Sequence, residues 1–143
     1  MNEDPIVIER TYNVSMAAVW QAITNRDEMK KWYFDLKEFK PEVGFEFRFT
    51  GGPPEKQYLH VCRITEVIPG NKLTHSWRYD GYEGISHVTF ALSAEGVNTR
   101  LKLTHAGIDT FPKDNPHFAK KNFVEGWTDI IGRSLREYLE KKQ

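Results

Sequence analysis

Residues 116–141 read PHFAKKNFVEGWTDIIGRSLREYLEK, and the period of this stretch decides the fold. Phe123, Trp127, Ile130, Ile131, Leu135 and Tyr138 recur at helical spacing and make one apolar stripe. Lys120, Lys121, Asp129, Arg133, Arg136 and Glu137 lie mostly off it. The spacing predicts one helix of about 25 residues, close to 40 Å long at 1.5 Å per residue. In a chain of 143 residues a rod of that length must lie across something broad. Gly126 inside it costs about 1 kcal/mol against alanine, so a close approach of helix to loop or ligand is expected there.

Upstream the period changes to two. Ile6, Ile8 and Tyr12 share one face of a first strand over 6–12, with Arg10 among them. Ser15 is an N-cap for a short helix reaching Thr24, with Val19, Trp20 and Ile23 buried. Asn25 caps a second through Tyr33, anchored by Met29, Trp32 and Tyr33. Phe45, Phe47 and Phe49 then alternate with Glu46, Arg48 and Thr50, and Gly51-Gly52-Pro53-Pro54 must turn. A strand over 57–68 is apolar on both faces, which leaves its inward set open. Leu73, His75, Trp77 and Tyr79 mark the next strand; Val88, Phe90 and Leu92 mark a strand over 84–93; Leu101, Leu103 and His105 mark the last, over 98–106. Five strands joined by short turns favour an antiparallel meander. The expected fold is α+β: a curved, antiparallel six-stranded sheet wrapped on a long C-terminal helix, with two short helices between strands 1 and 2. Residues 1–143 read as one domain with an ordered core over 5–141.

Composition narrows the function. Lys plus Arg and Asp plus Glu each count 20, so the net charge is zero and no long-range field draws the chain to nucleic acid or anionic lipid. The pairs Lys30-Lys31 and Lys120-Lys121 read as solvated helix faces. No apolar run approaches a membrane span, and Met1-Asn2-Glu3-Asp4 opens acidic, unlike a signal peptide. The lone Cys62 forms no internal disulfide and reads as a small core residue. A cytoplasmic protein is expected, with no nucleic acid or membrane partner. The aromatic share of 13%, with four Trp and nine Phe, suggests a core or cavity built from rings.

Several strings resemble one known family. They are Thr11-Tyr12-Asn13-Val14-Ser15 leading to Val19-Trp20-Gln21-Ala22-Ile23-Thr24, then Trp32; Glu66-Val67-Ile68-Pro69 followed by Leu73 to Trp77; Leu103-Thr104-His105-Ala106-Gly107; and Gly126-Trp127 with Leu135 and Leu139 behind it. In order and spacing they resemble the helix-grip fold of the START-like (SRPBCC) superfamily, and within it the family of the activator of heat-shock-protein-90 ATPase, C-terminal domain. The resemblance spans residues 5–141 and implies two kinds of partner: a small hydrophobic ligand, or a chaperone or other protein, as in a stress response. Co-chaperones resembling this family carry a separate N-terminal domain that grips the chaperone, for which a one-domain chain has no room. The resemblance supplies no metal and no cofactor.

The candidate ligand cavity lies between sheet and helix, with Phe45, Phe47, Phe49, His75, Trp77, Tyr79 and His105 on one side and Phe123 and Trp127 on the other. Phe123 and Trp127 are either core or the lid of that pocket. His75 and His105 share the apolar side of their strands, where they either bond interior polar groups or act as an acid–base pair in a cyclase- or hydrolase-type enzyme. His87 should face water; His60 is not placed by strand parity. Arg10 either clamps a ligand carboxylate or stays structural, snorkelling at the sheet edge or pairing with Glu3 or Asp4. There is no phosphate loop, nucleophile elbow, CxxC or HExxH. Three readings follow: a binder of a hydrophobic or amphipathic small molecule, a co-chaperone-like or regulatory interaction module, and an enzyme. Monomer and homodimer both remain open.

Overall fold

A computed structural model describes residues 5–33, 36, 38–52 and 54–141; Glu3, Asp4 and Pro53 of the readings above lie outside these. The elements run β1 (Ile6–Tyr12), α1 (Met16–Thr24), α2 (Arg26–Trp32), β2 (Glu46–Gly51), β3 (Tyr58–Ile68), β4 (Lys72–Tyr79), β5 (Ser86–Glu95) and β6 (Asn98–Ala106). Two short 3₁₀ turns follow, Ile108–Thr110 and Pro116–Phe118, and then the long helix. The sheet has six strands in the order β1-β6-β5-β4-β3-β2, every pair antiparallel. The α+β helix-grip fold expected from the sequence is the one present, with both short helices between the first two strands.

The caps behave as their side chains dictate. Ser15 Oγ accepts the Ala18 N–H and Asn25 Oδ1 accepts the Glu28 N–H, each meeting a helix-end donor that would otherwise lack a partner. Trp32 Nε1 donates to the Ala22 carbonyl and ties the two short helices together. In β1, β2, β5 and β6 alternate side chains are buried, so the sheet presents one face to the core. One inward row crosses five strands: Ile6, His105, Val88, His75 and Ile64 stand side by side in register.

The long helix differs from its expectation in two ways. It starts at Lys120 rather than near Pro116, because Ala119 is extended and residues 116–118 form a separate 3₁₀ turn. It is also not α-helical throughout: α3 (Lys120–Asp129) passes into a π-helical turn, Ile130–Ser134, and continues as α4 (Leu135–Lys141). Its buried stripe explains why. Phe123, Trp127, Ile131, Leu135 and Leu139 are spaced by four, and in a pure α-helix such spacing drifts by about 40° per step. The wider π turn takes back part of that drift and keeps the stripe on the sheet. Leu135 N–H donates to the Ile130 carbonyl five residues back, and the adjacent Ile131 carbonyl accepts the Tyr12 hydroxyl at 2.5 Å. The carboxyl half is anchored further by Ser134 Oγ, which donates to the Trp32 carbonyl.

Candidate functional site

The amino half of the helix and the β2–β4 end of the sheet diverge around a cleft of about 430 Å³. Gly51, Gly52, His60, Trp77 and Tyr79 form its sheet wall. Asn122, Phe123, Gly126, Trp127 and Ile130 form the helix wall, and Glu55 and His117 stand with them. Strand pairing builds the first wall: His60 on β3 lies between Phe49 on β2 and Tyr79 on β4. Trp77 and Tyr79, two apart on β4, share the inward face. Helical spacing builds the second, since 123, 126, 127 and 130 fall on one side of a 3.6-residue screw.

Of the nine residues singled out in the sequence, Trp77, Tyr79, Phe123 and Trp127 line this cleft. The others pack beside or beneath it. Phe45 is half-buried against Phe39, and Phe47 stacks edge-on to Phe39 and to His75. Phe49 lies flat on His60, ring centroids 4.4 Å apart. His75 sits between Phe47, Trp77 and Phe90, where Nδ1–H donates to the Ser76 carbonyl at 2.8 Å.

His105 is the centre of a buried hydrogen-bond chain. Trp127 Nε1–H donates to His105 Nδ1 at 3.0 Å, which makes Nδ1 an acceptor and puts the proton on Nε2. Nε2–H then donates to Ser86 Oγ at 2.8 Å, and that hydroxyl donates to the Trp77 carbonyl at 2.9 Å. The chain thus runs from the helix wall through the core and back to the sheet wall, and it accepts only a neutral imidazole. Burial pushes His105 down to about 3, with His75 and His87 nearby adding to the effect. His75 and His60 are lowered by burial to about 4. Burial also holds the phenol of Tyr79 and the thiol of Cys62 well above their ordinary ranges, so neither ionises near neutrality.

The residues that sequence reading missed are mostly polar. His60 Nδ1–H donates to the Tyr58 carbonyl at 3.0 Å. Tyr58 Oη accepts from Asn115 Nδ2 and is hydrogen-bonded to His117 Nδ1 at 2.7 Å, tying the 3₁₀ turn at 116–118 to the start of β3. Asn122 Nδ2 donates to the Pro116 carbonyl at 2.7 Å. Arg10 lies away from the cleft, with its guanidinium against Gly132 on the outer side of the helix. His87 faces out, as expected. Among the described residues no three His, Cys, Asp or Glu side chains gather as metal ligands, and no helix is long and apolar enough to cross a membrane.

No curated protein matches the chain by sequence. Among solved structures, DynU16, a protein of the dynemicin biosynthetic locus, superposes on 99% of this chain with a TM-score of 0.79 at 20% identity. This chain spans about half, 49%, of DynU16. Mll3558 from Rhizobium loti matches 94% of this chain and 96% of its own length, with a TM-score of 0.82 and 21% identity. CalU16 from Micromonospora echinospora matches 94% of this chain and 75% of its own, with a TM-score of 0.71 and 26% identity. The first two likenesses establish shared fold alone. The family model described as Activator of Hsp90 ATPase homolog 1-like protein matches residues 13–140, nearly the whole chain. With that match and a helix-grip architecture in place, the chain belongs to the Activator of Hsp90 ATPase homolog 1-like family.

Proposed function

We propose that this domain binds a small hydrophobic or amphipathic molecule in the cleft between the β2–β4 end of the sheet and the amino half of the long helix. Gly126 carries the reading. A glycine inside a helix costs about 1 kcal/mol relative to alanine, and here no contact demands it: a Cβ placed on Gly126 meets nothing within 4 Å. Of the two approaches expected from the sequence, to a loop or to a ligand, no loop comes near Gly126. What a side chain at 126 would occupy is the cleft itself. A volume near 430 Å³ lies within the range of roughly 300–1,000 Å³ usual for small-molecule sites, and rings with a few polar groups are the usual lining.

The test is a thermal-shift screen of apolar and amphipathic compounds on the wild type and on Gly126→Phe, with Gly126→Ala as the folding control. Compounds should raise the Tm of the wild type and leave Gly126→Phe unmoved. Equal shifts in both proteins, or none in either, would overturn the reading.

The family's name favours a second reading, in which the surface of the domain regulates a chaperone ATPase. The exposed large apolar side chains, among them Val7, Val43, Ile85 and Val97, sit on different segments of the chain. Measuring the ATPase rate of a purified Hsp90-type chaperone with and without this domain decides it; an unchanged rate at saturating domain removes it.

A further inference from the structure

The charge around the cleft is as informative as its shape. Among the described lining residues Glu55 is the only acidic side chain, and there is no lysine or arginine. The buried histidine of the lining does not replace them: His60 is lowered to about 4, so it stays neutral near pH 7. His117 spends Nδ1 on the Tyr58 hydroxyl, 2.7 Å away. A ligand anion seated here would find no lysine or arginine among the described lining residues and would share the cleft with the Glu55 carboxylate, and a charge without a partner is disfavoured.

The rest of the lining welcomes rings. Trp77 and Trp127 face each other across the floor, centroids 5.6 Å apart at 60°. Phe123 and Tyr79 extend the aromatic walls on either side, and edge-on or offset ring contacts add to the area they bury. Resting on the reading of the cleft as a ligand site, we infer that it selects an uncharged, ring-bearing molecule and rejects carboxylates and phosphates. That separates this domain from a carrier of free fatty acids or phosphorylated lipids.

The experiment uses one ring system with three charges. Binding of 2-naphthol, 2-naphthoate and 2-naphthylmethylammonium is measured by titration calorimetry at pH 7 on the wild type, Gly126→Phe and Glu55→Lys. The wild type should prefer the naphthol over the naphthoate by about tenfold or more. Glu55→Lys, at an exposed position, should narrow that ratio several-fold, and Gly126→Phe should lose the naphthol. Naphthoate bound as tightly as naphthol, with both lost in Gly126→Phe, overturns the charge selectivity and leaves the cleft as the site. The ammonium bound about tenfold tighter than the naphthol overturns the uncharged class in the same way. Naphthol binding that survives in Gly126→Phe overturns the cleft itself, and failure of all three probes on the wild type overturns the ring-bearing class.

Discussion

Acid should unfold this domain well before its native histidines titrate. His60, His75 and His105 are all buried and neutral, held at about 4, about 4 and about 3 where an ordinary imidazole lies at 6.5. Their folded values are depressed, so below pH 6.5 the unfolded chain binds protons that the folded one refuses. The stability they confer is complete above pH 6.5 and is lost as the pH falls toward 4. Each such proton contributes about 1.4 kcal/mol per pH unit, so three give a slope near 4 kcal/mol per unit between roughly pH 6 and 4. Integrated over the window the loss is on the order of 10 kcal/mol, comparable with the whole stability of a typical domain. Urea melts followed by circular dichroism at intervals from pH 7 to 4 measure the slope directly. Replacing His75 with phenylalanine, in a site already walled by Phe47, Trp77 and Phe90, should lower it by about one proton. A stability that stays flat from pH 6.5 to 4.5 would refute the reasoning, since no folded protein can bury three neutral imidazoles without that dependence.

Trp127→Phe keeps the ring but removes the donor to His105 Nδ1; it should cost about 1–3 kcal/mol in urea melts and shift the imidazole nitrogen resonances. Gly126→Ala should stabilise the fold by about 1 kcal/mol, because the helix gains propensity and the methyl group meets open space. Tyr12→Phe deletes the hydroxyl that caps the Ile131 carbonyl at the π turn, and should cost about 1 kcal/mol, read as a lower denaturant midpoint with an unchanged m-value.

Most of the architecture was legible because it rests on periods. Strands that bury a single face alternate cleanly, so β1, β2, β5 and β6 could be traced to within a few residues. β3 hid its inward set for a structural reason: Val61, on the outward face, is buried too, flanked in register by Arg48 and Arg78, whose long stems can shield it. That is why His60, the strand histidine at the cleft, gave no parity signal, while His75 and His105 gave a clear one and proved to be interior. The π turn was equally silent. A stripe spaced by four fits an α-helix over one or two turns, and only the backbone reveals how the drift is absorbed. Glu55 comes from a loop and His117 from a single 3₁₀ turn, and neither is long enough to show a period. The departure at Gly126 was visible as an unexplained cost, but whether a neighbour or an opening compensates it depends on coordinates.

The wide turn at Ile130–Ser134 gives the helix one residue more than a regular screw requires. Deleting a residue there would restore uniform winding, with Trp127 and Leu135 then seven apart and still on the same side. The extra residue is what a stripe spaced by four needs, and a step of seven would do without it. It marks a seam: Ile130 belongs to the wall of the opening, whereas Leu135 and Leu139 belong to the anchored interior. The seam thus divides the rod into a segment that walls the opening and a segment seated in the core.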